Sequence, residues 1–377
     1  MRALIKSIFS NYDILSINGE KNPLSINLWQ KYNIRLESWG TDYDTPISLN
    51  QEDSLLDDAI NLNVECDEWV GRRPSCEPAL PNRILFVDGR RRLDTRFIGQ
   101  NGNEILYGAF ATIAVGAVLV DRATRKAAVS ELIVKRAIAI GGISHSETIP
   151  PTRVPCPLGS GAEIIYSTYI TDAESEPQKP IALVQKAMRE EEAKLAVKLA
   201  IDPDVLVIRD GPLLHKPYKA PESTLGYVKT MGKAYLTGDS AQLLWELQLG
   251  ERTPIFSIGK QKSPKRHWSW YLRSGQPQID HKQLGYHGLH GIVRLDLYGE
   301  VPLNKATEIA DRSTYLIPQY ASHPSRDPRA PQNLTPVGGL EKELGRHMGD
   351  KGVIERRLRT FLASEGVMKS QQLLALY

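Results

Sequence analysis

Two short apolar runs, Ile84-Leu85-Phe86-Val87 and Val205-Leu206-Val207-Ile208, lead into Asp-Gly: Asp88-Gly89 directly, Asp210-Gly211 after Arg209. An acidic residue at the last position of a buried strand is held rigidly at the sheet edge, where its carboxylate can bind a hard cation instead of water. Two such carboxylates can share one site. A pair of divalent ions about 4 Å apart activates water on one side of a phosphate and stabilises the departing oxygen on the other. That chemistry takes three or four carboxylates, and Glu190-Glu191-Glu192 supplies three adjacent candidates. Each helical step rotates about 100°, so only one or two of them face the same way. Taken singly, Asp-Gly after an apolar run reads as a turn, and a Glu triplet reads as a solvated helix face.

The order of elements gives the pair its joint meaning. Runs rich in β-favouring residues cover 84–87, 104–120 and 126–140, separated by segments short enough for antiparallel hairpins. A stretch from Pro180 to Ile201 then has helical spacing through Ile181, Val184, Ala187, Met188, Glu191, Leu195 and Leu199, and Asp202-Pro203-Asp204 breaks it before the second apolar run. Three antiparallel strands, a helix and a parallel fourth strand are the order expected of an α/β, ribonuclease-H-like mixed sheet with helical additions, in which the first and fourth strands are neighbours. That order sets Asp88 beside Asp210. Residues 1–80 read as a polar peripheral region, 81–365 as one domain (core 81–235, C-terminal subregion 236–365) and 366–377 as a tail. Gly141 to Pro157 reads as a linker, and Glu341 to Tyr377 as helical, with Leu340, Leu344, His347 and Met348 on one face.

The 377 residues carry 47 basic and 44 acidic side chains, a net charge of +3 that permits nucleic acid as a partner without arguing for it. What counts is clustering. Arg90, Arg91, Arg92 and Arg96 follow Asp88 and set positive charge where a phosphate backbone needs it. Lys262, Lys265 and Arg266 run into Trp268, Trp270 and Tyr271, and cations interleaved with aromatics suit a single strand; the plainer reading is a basic loop entering a core strand. Three cysteines without C-x-x-C spacing suggest neither a disulfide framework nor zinc, and a reducing cytoplasm is expected. His281, His287 and His290 match no zinc spacing and read as loop residues. No apolar run is long enough to span a bilayer, the N-terminal stretch is too weak for a secretory signal, and the absence of a P-loop means that translocation energy must come from a partner.

In its ordered motifs the chain resembles the NurA family of nucleases over roughly residues 80–365. The motifs are Phe86-Val87-Asp88-Gly89, Met188-Arg189-Glu190-Glu191-Glu192, Arg209-Asp210-Gly211-Pro212-Leu213, Gly226-Tyr227-Val228-Lys229, Trp268-Ser269-Trp270-Tyr271-Leu272-Arg273 and Val293-Arg294-Leu295-Asp296. The resemblance implies a Mn²⁺- or Mg²⁺-dependent enzyme that cuts single-stranded DNA and resects duplex ends 5′ to 3′ in DNA repair, as a homodimer docked on a hexameric HerA-type ATPase. It implies Asp88, Glu192 and Asp210 as metal ligands, with Glu192 preferred to Glu190 and Glu191 on its spacing to Asp210. Lys229 would lie near the scissile phosphate, and Tyr271 would match the family's active-site tyrosine. One departure stands out: the family's late histidine falls at Gly338, and His347 is no substitute for it. A catalytically weak scaffold that binds DNA and a motor ATPase is therefore the alternative, and a ribonuclease-H-like enzyme acting on RNA or branched DNA a third.

Overall fold

The computed structural model describes residues 28–36, 59–143, 149–156, 162–171, 175–202, 204–213, 222–230, 233–260, 266–275, 287–323 and 330–374. The first elements are α1 (Leu28–Lys31), β1 (Arg35–Leu36), β2 (Ile60–Asn61) and the long strands β3 (Arg83–Asn101), β4 (Glu104–Asp121) and β5 (Lys126–Gly141). Then come β6 (Thr152–Pro155), β7 (Glu163–Thr171), α2 (Lys179–Leu199), β8 (Val205–Asp210) and β9 (Thr224–Val228). The chain continues through α3 (Asp239–Glu246), β10 (Phe256–Ile258), β11 (His267–Arg273) and β12 (Ile292–Tyr298), and ends in α4 (Leu303–Tyr320), α5 (Thr335–His347) and α6 (Lys351–Leu374).

Among the described residues the strands form one mixed sheet, ordered β2-β10-β11-β12-β9-β8-β3-β4-β5-β7-β6, with β1 paired to β3 off this path. β3, β4 and β5 are antiparallel neighbours, and α2 carries the chain to β8, which lies parallel to β3. Alternation explains the layers. On one face Leu85, Val87 and the β4 residues Ala109, Ala111, Ile113 and Ala117 meet Ile181, Val184, Met188 and Leu195 of α2. Each such large aliphatic side chain contributes about 1.5–3 kcal/mol on burial. Ile84, Phe86, Ala114 and Val118 face the other way and pack with Leu316 and Ile317 of α4 and Leu340 and Leu344 of α5. The sheet is thus sandwiched by helices. A bulge between Leu93 and Thr95 turns Asp94 inward, where Thr112 Oγ1 donates to it at 2.6 Å and Arg92 Nε at 2.9 Å.

Several expectations need correction. β3 does not end at Asp88-Gly89 but runs on to Asn101, because Arg91 finds Gln185 on α2, and Arg90 and Arg92 reach backbone carbonyls around α5. The supposed linker at 141–157 contains β6, which pairs with β7, a strand the composition did not announce. The described part of the N-terminal stretch is integrated rather than peripheral: β2 pairs β10, and Glu65 is bound by Arg252. The strands of 81–235 and 236–365 share one sheet, since β9 pairs β12. The C-terminal helical stretch is two helices divided near Gly349, whose φ is +76°. Leu340, Leu344 and Met348 are buried, whereas His347 is exposed, its Nδ1 2.9 Å from Glu343 O. Among the described residues no helix is long and apolar enough to cross a membrane.

Candidate active site

The parallel pairing of β3 with β8 runs in register from Arg83↔Val205 to Val87↔Arg209, and Asp88 and Asp210 take the next position. Residues in register on adjacent parallel strands share a face, with backbones about 4.8 Å apart. β8 stops there. Gly211, at φ +93°, donates its N–H to Tyr227 O at 2.8 Å and turns the backbone aside while β3 continues. The two acids therefore stand where the sheet divides, Asp88 inside β3 and Asp210 as the last residue of β8, neither of them in a turn.

Both glycines have a steric task. A Cβ on Gly89 would collide with Glu192 Oε1 and come within 2.9 Å of Met188 Cγ, so the bare backbone is what lets the α2 carboxylate settle against β3. A Cβ on Gly211 would collide with the Arg189 guanidinium. Arg189 Nη1 donates to Asp210 O at 3.0 Å and lies 3.4 Å from Glu192 Oε2. Lys229, just beyond β9, donates to Asp210 Oδ2 at 2.6 Å. Of the Glu triplet, Glu192 is the fully buried member at this site; Glu191 is engaged by Lys135 at 2.6 Å and Lys194 at 2.8 Å.

These groups line a cavity of about 540 Å³. Burial, followed by the charges of Asp210 and Glu192, holds the Asp88 carboxyl well above the usual carboxylate range, and Lys229 only partly offsets this. Burial and then the Arg189 charge lower the Arg91 guanidinium. No protein-family model matches the chain, and no curated protein matches it either. The site is therefore read from its own chemistry. Its donors are hard oxygens, the kind that suit Mg²⁺ or Mn²⁺, and the charges of Asp210 and Glu192 are close enough to Asp88 to raise its proton affinity. Among the described residues no group of three or more His, Cys, Asp or Glu is gathered tightly enough to hold a metal as it stands. Positive charge at Asp210 and Glu192 comes instead from Lys229 and Arg189.

Other expected site residues lie elsewhere. Tyr271 stacks on Phe256, with ring centroids 5.8 Å apart, in a buried cluster with Tyr235, Leu243 and Leu244, and does not line the cavity. Trp268 is a core residue whose Nε1 donates to Val301 O at 2.8 Å, and Arg266 lies over its ring; strand β11 is too buried to offer that indole to a base. Arg92, with Arg136, ties down the end of α5 through Met348 O. Arg90 is exposed and donates to Glu341 O at 3.2 Å. Arg96 sits past the bulge opposite Ala109. Lys262 and Lys265 lie outside the described residues. Gly338 is in the first turn of α5, where a Cβ would meet open space.

The sequence reading missed Arg189, His290, Gln332, Asn333 and Glu341 in the cavity wall. Arg189 was visible as the residue three before Glu192; the others arrive from distant loops and α5, and no local pattern marks them. His290 does lie in a turn, as its reading as a loop residue has it, but is buried there, 8 % exposed. Gly89→Ala offers a direct check on the glycine's role. Its methyl displaces the flexible end of Glu192, and a misplacement of about 1 Å costs about a hundredfold in rate. On the hydrolytic reading proposed below, turnover is expected to fall on that scale, and the urea midpoint is expected to fall as well because Met188 Cγ must also give way; unchanged turnover would detach Glu192 from that chemistry.

Proposed function

We propose that the chain is a metal-dependent deoxyribonuclease of NurA type with a ribonuclease-H-like core. The observation that carries the reading is the register-matched pair Asp88 and Asp210 at the division of two parallel strands, with Glu192 lodged over Gly89. The strand order β5-β4-β3-β8-β9, with α2 leading into the parallel strand, supports it. Asp88, Asp210 and Glu192 would hold Mn²⁺ or Mg²⁺. When bound, the metal supplies an activated water and stabilises the departing oxygen.

The chain's own cations do the rest. Lys229 and Arg189 present N–H donors beside the carboxylates and offset the charge of an incoming phosphate, with Arg91 adding positive potential behind them. The substrate is single-stranded DNA or a duplex end resected 5′ to 3′. Its partners on this reading are a second copy of the chain and a hexameric HerA-type ATPase in the cytoplasm. The described cysteines, Cys66, Cys76 and Cys156, are free thiols, as a reducing compartment keeps them.

The test is cleavage of end-labelled single-stranded and duplex DNA with Mn²⁺ or Mg²⁺ by the wild type and by Asp210→Asn. The wild type is expected to cut and the variant to be slower by roughly a thousandfold, as when a charge-stabilising group is removed. Cleavage that survives the substitution would sink the mechanism. A catalytically weak DNA-binding scaffold is favoured by one observation, the Lys229 ammonium seated on Asp210. DNA binding without cleavage by the wild type would select it.

A further inference from the structure

The cavity has two chemically distinct sides. The strands and α2 contribute the charged side, with Asp88, Glu192, Asp210, Arg189 and Lys229. The rest of the lining, the neutral wall, is formed by the hydrogen-bonding groups His290, Gln332 and Asn333 from the later loops, with Thr230 next to Lys229 and the acid Glu341 of α5 beside them. A phosphate needs only the charged side. At about 540 Å³ the cavity lies within the range of sites that enclose a small organic ligand.

The neutral wall is held firmly. Pro331 is keyed against Gly275, where a Cβ would collide with its ring, and lies 3.2 Å from where a Cβ on Gly291 would be. Tyr227, the register neighbour of Asp210, donates its hydroxyl to Gln332 O at 2.6 Å. Ser322 N donates to Asn333 O at 2.7 Å. His290 is fixed from behind by fully buried Arg273, which donates to His290 O at 3.0 Å and Gly288 O at 2.8 Å. Gln332 Nε2 lies 3.5 Å from His290 Nδ1, and the imidazole tautomer with a bare Nδ1 accepts from that amide. The Gln332 amide is thereby oriented in advance of any ligand, which lowers the ordering cost of binding.

We propose that this wall is a nucleoside subsite: the segment around Gln332, backed by His290, takes the base and sugar of the nucleotide whose phosphate sits on the Lys229 and Arg189 side. Gln332 is a specificity-determining contact and His290 a positioning residue that acts through it. The inference rests on the nuclease reading for its substrate class, and its test is separable from that reading.

The measurement is equilibrium binding to the full-length protein without added metal, by calorimetry, of inorganic phosphate, deoxyribose 5-phosphate and thymidine 5′-monophosphate. The wild type is expected to prefer the nucleotide to phosphate by about tenfold or more, with the sugar phosphate between them, as one or two well-placed hydrogen bonds supply. In Gln332→Leu, at a half-buried position and of similar size, that gap is expected to shrink to about threefold or less while phosphate still binds. A wild type that binds all three alike overturns the proposal, as does a variant that keeps the full gap. The wild-type series decides the matter if the variant does not fold. Cleavage of bis(p-nitrophenyl) phosphate with Mn²⁺, a diester with no nucleoside, reports on the nuclease reading alone. Nucleotide preference without any diester cleavage would leave the subsite standing and remove the nuclease; cleavage without nucleotide preference would do the reverse.

Discussion

Asp88→Asn is expected to abolish metal-dependent cleavage, by roughly a thousandfold or more, while making the metal-free protein more stable at neutral pH. The two effects have one cause. Burial, and then Asp210 and Glu192, raise the Asp88 carboxyl above its unfolded value, so the folded state binds its proton more tightly than the unfolded chain does. A carboxylate of this kind costs stability at any pH where the unfolded chain is ionised, and the cost vanishes as the pH falls below the unfolded value. The neutral amide removes it. The gain in urea midpoint should therefore be present at pH 7–8 and shrink on acidification. Mn²⁺ is expected to reverse the ranking by stabilising the wild type by about 2.7 kcal/mol at a hundred times its Kd, with no comparable gain in the variant. Equal stabilisation of both proteins would show that Asp88 is not a ligand.

Arg252→Met is the largest expected loss of stability away from the site. Arg252 is 1 % exposed and donates to both Glu65 oxygens at 2.9 and 2.7 Å, to Asp311 Oδ1 from Nε and Nη2, and to Thr253 O. Glu65 also accepts from Ile255 N at 2.6 Å, so the network joins the N-terminal stretch, the approach to β10, and α4. Removing one partner of a buried pair strands the other charge, at a cost of about 3–5 kcal/mol. Its pH dependence has the opposite sign to that of Asp88. Burial pushes the Glu65 carboxyl up, but the hydrogen bonds and charge of Arg252 outweigh it and hold the group below its ordinary value. The pair's stabilisation is thus full above the unfolded carboxylate range and is lost as pH falls through the lowered value. Denaturant titrations at pH 7 and pH 3 should find wild type and variant far apart at the first and closer at the second. Equal separation at both would reject the assignment.

The parts of this architecture that were legible in the sequence are those set by local pattern. The β-favouring runs gave β4 and β5, and the spacing from Ile181 to Leu199 gave α2 within a residue or two of its observed ends. The adjacency of Asp88 and Asp210 followed from element order, whereas the helix left Glu190, Glu191 and Glu192 open and only the family resemblance, with spacing to Asp210, preferred Glu192. Side chains whose role depends on remote partners were not legible. Arg90, Arg91 and Arg92 read as charges for a phosphate backbone because their hydrogen-bond partners Glu341, Gln185 and Gly349 are far away in the chain. Trp268 read as a base-stacking candidate and Tyr271, through the family resemblance, as an active-site tyrosine, because nothing local reveals that β11 is covered on both faces. Gly89 read as a turn former, whereas its lack of a side chain makes room for a carboxylate from α2.

The width of the sheet also bears on how two copies of the chain can meet. Its path ends in β2, two residues long, and β6, four residues long and closed by Pro155. Among the described residues these outer strands offer little unpaired backbone, and a proline has no N–H to give. A hydrogen-bonded continuous sheet across two molecules has almost no template at either end. Among the described residues, contact between two such molecules would draw on side chains more than on backbone pairing, and such a contact is open to point substitution in a way that backbone pairing is not.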